Sequence, residues 1–215
     1  VRQLAKAPKP PILVEKEAPW TNEYVALRAA GEKNLPTRWR HPQIKATLAY
    51  ETSGRCAYCD STMAIVNYPH VEHIWPKSDF PHLVVAWSNL TLICEICNNT
   101  KLDFYSLASP LLNPYEDDPD DHLIYLGHLI MPAPGSDRGL LTVKYLGLSR
   151  QPLADQRYNR IKAVLSLVDS WKRASGTAVK DALFAMIVED ASNGPYQKTV
   201  LATLRQCGID LDLNG

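Results

Sequence analysis

The chain has 215 residues, 46% of them hydrophobic and 21% charged, which places it among folded soluble proteins with enough apolar material to bury a core. Twenty-three basic residues balance twenty-three acidic ones, so the molecule as a whole offers no general attraction to a polyanion. Any affinity for nucleic acid must come from cations gathered on one face or from a partner protein. No apolar run is long enough to cross a membrane, and Arg2, Lys6 and Lys9 stand where a signal peptide would be apolar, so a cytoplasmic protein without a membrane partner is expected.

Residues 1–19 carry Pro8, Pro10, Pro11 and Pro19 among charges, a composition that predicts an extended arm. Two helices are expected over residues 20–54. The first runs from Thr21, a plausible N-cap, through Tyr24 and Leu27 to Gly31; the second follows Pro42, carries Ile44, Leu48 and Ala49 on one side, and ends at Gly54. Between Cys56 and about Asp103 the periodicity becomes short and broken, which marks residues 55–112 as the motif-bearing core. The acidic stretch from Asn113 to Asp121 reads as a solvated loop, followed within residues 113–152 by two strand-like runs, Leu123 to Ile130 and Leu140 to Leu146. Residues 153–215 read as helices over Leu153 to Arg173, Ala178 to Ala191 and Tyr196 to Cys207. In the first of these, Ile161, Leu165 and Val168 form an apolar stripe that Val164, Leu167 and Trp171 widen, and Cys207 belongs on the apolar side of the last helix.

Four of the five cysteines form two Cys-x-x-Cys pairs, Cys56 with Cys59 and Cys94 with Cys97. Each pair presents two thiolates from a tight turn, and four thiolates around one ion favour a tetrahedral zinc with no position left for water, hence a structural site. Two redox dithiols or four core cysteines are the alternatives. The insert between the pairs is polar, with Glu72-His73-Ile74-Trp75-Pro76-Lys77-Ser78 and Trp87-Ser88-Asn89-Leu90, and Asn98-Asn99-Thr100-Lys101 follows the last cysteine.

Glu72-His73 with Pro76, then Trp87-Ser88-Asn89-Leu90, then Cys94-x-x-Cys97-Asn98-x-x-Lys101 closely resemble the HNH, or ββα-metal, endonuclease motif in its zinc-containing form. The resemblance implies an α+β fold, with a zinc-stapled ββα-metal core between N-terminal helices and a C-terminal helical region. It also implies that His73 is a general base, Glu72 and Asn98 ligands of a catalytic divalent ion, and Asn89 the residue that holds the base-bearing loop. The chemistry agrees: phosphodiester hydrolysis needs a base for water and a cation for the phosphate, and two protein oxygens suit Mg²⁺ or Mn²⁺. Lys77, Lys101 and Arg55 are candidates for phosphate contacts, while His70 and His82 are alternative bases or further phosphate contacts.

Trp39 before the first pair, Asn113-Pro114 after the motif, and the strands-then-helices ending resemble the HNH proteins of Septu-type and retron-linked anti-phage systems. That resemblance implies an ABC-type ATPase partner, a retron component as a further partner, and nucleic acid as substrate, DNA favoured over RNA. A zinc-bearing module that binds nucleic acid or a partner without cutting is the rival reading.

Overall fold

The computed structural model describes residues 1–63 and 69–211. Its architecture is mixed, with seven helices and two small antiparallel sheets among these residues, as the α+β expectation requires.

Helix α1 (Pro11–Ala29) starts well before Thr21, so the arm expected over residues 1–19 ends at Pro10. Pro11 opens the helix at a position whose N–H would have no intrahelical acceptor, and Pro19 is carried inside it. Burial explains the tolerance. Leu13 and Tyr24 of α1 join Trp39, Ile44, Leu48, Trp87 and Leu90 in one apolar cluster, and the hydrophobic gain outweighs the hydrogen bond lost at Pro19. Helix α2 (Pro42–Glu51) matches its expectation, with Ile44 and Leu48 fully buried. The preceding segment is pinned too. Lys6 donates to Glu51 and to the Leu90 carbonyl while its ammonium lies 3.8 Å from the centre of the Trp87 ring.

Strands β1 (His70–His73) and β2 (Leu90–Ile93) pair antiparallel with His70 opposite Ile93 and His73 opposite Leu90, and α3 (Glu95–Lys101) follows. This is the ββα unit. Strands β3 (Leu123–Leu126) and β4 (Leu129–Pro132) form a hairpin, so the single run expected from Leu123 to Ile130 is folded on itself. Gly127 at the turn has φ of 55°, which a tight hairpin requires and an L-residue resists.

The strand expected over Leu140 to Leu146 is instead part of α4 (Asp137–Tyr145) and its C-cap. Ser136 caps that helix by accepting from the Gly139 amide, and Gly139, Thr142 and Leu146 are its inward residues at helical spacing, leaving Leu140 exposed. The acidic stretch is tied down rather than loose. Asp117 holds the Arg138 guanidinium, and Asp118 and Asp120 lie beside Lys198.

Helices α5 (Gln151–Arg173), α6 (Thr177–Asn193) and α7 (Gln197–Gln206) pack around Val164, Val168, Ile187, Val200 and Leu204. Ile161, Val164 and Val168 face inward as expected, but Leu165 is 41% exposed, so the stripe is narrower than its periodicity suggests. Cys207 packs against this cluster, on the apolar side.

A methyl group at residue 139 would meet the His122 carbonyl, part of the backbone that joins the acidic stretch to β3. Gly139→Ala is therefore expected to destabilise the protein by about 1–3 kcal/mol. Thermal melting checks this, and the fall should be roughly 2–4 °C per kcal/mol for a chain of this size.

Candidate active site

Cys56, Cys59, Cys94 and Cys97 come together in the buried core, their sulfurs all within 4.8 Å of one another. The first pair sits in a turn closed by Asp60 N–H to the Cys56 carbonyl, with Asp60 at φ of 60°; the second caps α3 through the Cys94 sulfur and the Cys97 amide. Cys59 and Cys94 sulfurs lie 3.8 Å apart, which is the edge of a tetrahedron whose Zn–S bonds are about 2.3 Å. None of the four is in a disulfide. Hydrogen bonds from Cys56, Cys94 and Cys97 pull the Cys59 thiol well below its usual range, whereas burial pushes Cys56 well above it. A donor set so arranged suits a structural zinc ion.

Two arginines of the C-terminal region approach this sulfur cluster. Arg150 Nη1 is 3.8 Å from the Cys97 sulfur, and Arg157 is 1% exposed. Burial lowers the Arg157 guanidinium to about 10, and the Cys59 sulfur opposes that shift. No carboxylate pairs with either arginine among the described residues.

His73 ends β1, 5% exposed. Its Nε2 is 2.8 Å from the Val84 carbonyl, which can only accept, so Nε2 carries the proton and Nδ1 keeps its lone pair in the neutral ring. Burial brings the imidazole down to about 4, against the Val84 carbonyl, and so keeps it neutral. The Trp39 indole meets it edge-on, with ring centres 5.1 Å apart. Asn89 closes the loop that joins β1 to β2. Its Oδ1 accepts from the Trp75 amide at 2.8 Å, and its Nδ2 donates to the Trp75 and Leu83 carbonyls at 3.0 and 3.1 Å. Both arms of the loop that ends in the Val84 carbonyl are thereby fixed by one buried amide.

Glu72 precedes the histidine, and its side chain is held by α3. Lys101 Nζ donates to Glu72 Oε1 at 2.6 Å and to the His73 carbonyl at 3.2 Å, with the lysine side chain 1% exposed. Burial raises the Glu72 carboxyl above its usual range, and Lys101 pulls it back. Lys101 was expected to touch phosphate; it is committed instead to an internal ion pair whose breakage would leave a buried charge unmatched. Arg55 is likewise turned inward, 3% exposed, against Asp60 and the Gly194 carbonyl, and does not line the groove.

Glu72, His73, Asn98 and Lys77 line one groove of about 620 Å³ and the smaller pocket of about 220 Å³ beside it. His70 also lines the groove; His82 is exposed outside it. The groove is also lined by residues outside the motif, Lys33, Thr37, Arg40 and Lys45. A signal existed: residues 33–50 hold four Lys and Arg and no acidic residue.

A β-hairpin bearing Glu72-His73, a helix bearing Asn98, and four cysteines closing the unit define an HNH-type nuclease domain, and the HNH endonuclease family model matches residues 56–104. Similarity extends beyond that domain. The chain is 32% identical over 217 residues to the Septu protein PtuB of Bacillus thuringiensis, covering 94% of this chain and 80% of that one. It is 26% identical over 150 residues to the Septu protein PtuB of Bacillus mycoides strain KBAB4, covering 55% and 51% of the two. The chain belongs to the PtuB family of Septu proteins. No helix among the described residues is long and apolar enough to cross a membrane.

Protein purified without added metal is expected to carry one equivalent of zinc by elemental analysis. Cys59→Ser should lose the zinc and the melting temperature together, because for such a site binding energy is folding energy.

Proposed function

We propose that the chain is a metal-dependent endonuclease of anti-phage defence that hydrolyses phosphodiester bonds, with DNA favoured over RNA. The observation that carries this reading is the convergence of His73, with its Nε2 proton held by Val84, and the oxygens of Glu72 and Asn98 in one groove. A module that only binds has no use for such a neutral imidazole beside a carboxylate.

In this reading a water molecule in the groove passes a proton to His73 Nδ1, its oxygen forms the new bond to phosphorus, and the strand oxygen leaves and is protonated by solvent. Glu72 and Asn98 offer two hard oxygens to Mg²⁺ or Mn²⁺, which when bound supplies positive charge against the phosphate and the departing oxygen. Asn89 positions the base by holding the loop. Lys101 orients Glu72, and Lys77 contacts phosphate from the groove rim.

The defence role rests on the Septu relatives, and with it come a cytoplasmic setting, an ABC-type ATPase partner and, in retron-linked systems, a retron component. The C-terminal helices carry the docking surface for that ATPase in this reading, with Leu165 on α5 and Val179 and Met186 on α6 exposed there.

His73→Ala is expected to keep its zinc and melting temperature and to lose cleavage of labelled DNA in Mg²⁺ or Mn²⁺ by about a hundredfold to ten-thousandfold. The assay is run with the chain alone and with its ATPase partner. Cleavage within tenfold of the unaltered chain, or no metal-dependent cleavage by the unaltered chain in either setting, contradicts the reading.

A further inference from the structure

The balance of charge over the whole chain hides a separation of charge at the groove. Lys33 comes from the connection after α1, Arg40 from the short 3-10 turn Arg38–Arg40, Lys45 from α2 and Lys77 from the loop after β1, and all four line the same cavity. Among the described lining residues Glu72 is the single carboxylate, and its charge is already met by Lys101. None of the four cations has a carboxylate within 4.0 Å among the described residues, whereas Lys6, Arg55, Lys101, Arg138, Arg160 and Lys198 all do. Four like charges facing one cavity repel one another and destabilise the fold unless a polyanion occupies it.

The wall is held in fixed relation to the reacting groups. Trp39 is 6% exposed between Arg38 and Arg40, and its ring touches His73 on one side while the Lys77 ammonium lies 5.6 Å from its centre. Arg28 of α1 reaches across with two hydrogen bonds, to the Lys77 carbonyl at 2.9 Å and the Ser78 carbonyl at 2.6 Å. A strand lying on these cations is therefore placed in register with His73 and Glu72 by the N-terminal helices.

We infer that Lys33, Arg40 and Lys45 form a phosphate-binding wall that seats the backbone of the nucleic acid beside the scissile phosphate. This rests on the nuclease reading of the groove and adds to it the path of the strand and the kind of recognition. Contacts to phosphate carry no base identity, so the wall binds without regard to sequence, and the N-terminal helices are part of the substrate site.

The test uses the full chain carrying His73→Ala, so that substrate survives, and fluorescence anisotropy with labelled duplex DNA, single-stranded DNA and RNA from about 50 to about 200 mM salt. Adding Lys33→Gln, Arg40→Gln and Lys45→Gln together should make the plot of log affinity against log salt shallower by about 2 to 3 and weaken binding about tenfold or more at the lowest salt. Each substitution alone should remove about 0.7 to 0.9 of that slope, which guards against a triple variant that misfolds. Lys180→Gln, on the exposed face of α6, is the control. Slopes and affinities of the single and triple variants no different from the control overturn the wall, as does a parent chain that binds none of the three nucleic acids. Cleavage by the chain with His73 intact, alone and with its ATPase partner, is measured in parallel. Wall-dependent binding without any cleavage would uphold the wall and overturn the nuclease reading.

Discussion

Four thiols gathered within 4.8 Å set where the hairpin, α3 and the C-terminal helices sit. The first pair lies before β1 and the second begins α3, so closing the cluster fixes the two ends of the segment that carries the polar site. The Ala57 amide bonds the Leu92 carbonyl, which joins the first turn to β2 directly. Lys101 then bolts α3 to β1 through Glu72 and the His73 carbonyl. Two links, one of sulfur and one an ion pair, thus hold the hairpin and the helix in a single relative position. Helices this short gain little from their own hydrogen bonds, and tertiary ties decide whether they form.

The same cluster organises parts of the chain far from the groove. Asp60, in the first turn, accepts from the Gln197 amide at the start of α7 and faces Arg2 and Arg55 at 3.3 Å each. The Ser61 hydroxyl meets the Tyr196 hydroxyl at 3.1 Å. Four thiolates around one divalent ion carry a net charge of about −2. Arg150 and Arg157 bring two positive charges from the C-terminal region toward it, and Arg157 has buried nitrogens with no hydrogen-bond partner among the described residues. A buried guanidinium without a carboxylate is costly unless another negative charge is near, and the sulfur cluster is that charge. Docking of the C-terminal helices and integrity of the sulfur site are in this way one problem.

What the sequence disclosed was local and what it withheld was tertiary. The Cys-x-x-Cys spacing and the order of Glu72-His73, Asn89 and Asn98 are properties of short segments, and they led to the sulfur cluster and to one groove. Helix α2 and the inward set Ile161, Val164 and Val168 were legible because periodicity reports burial. Helix α1 was missed up to Thr21 because prolines read as breakers, while the burial of Leu13 that offsets them depends on Trp87 and Leu90 far along the chain. Leu140 to Leu146 looked like a strand because its apolar residues are dense, and only the Ser136 cap and the buried Thr142 distinguish the helix. Lys101 and Arg55 were assigned by residue type, which cannot tell a cation facing solvent from one facing a buried carboxylate. The basic wall was overlooked for the converse reason. Its members come from separate elements, and no motif connects them.

In the proposed function one chain holds two chemically different metal centres, a sulfur site that builds the fold and an oxygen site that serves the reaction. Crystals soaked in Mn²⁺ and measured for anomalous scattering at the zinc and manganese edges test it most directly. A zinc peak is expected amid Cys56, Cys59, Cys94 and Cys97, and a separate manganese peak between Glu72 and Asn98, beside His73. Manganese absent from the groove, or bound there without contact to Glu72 or Asn98, would contradict it.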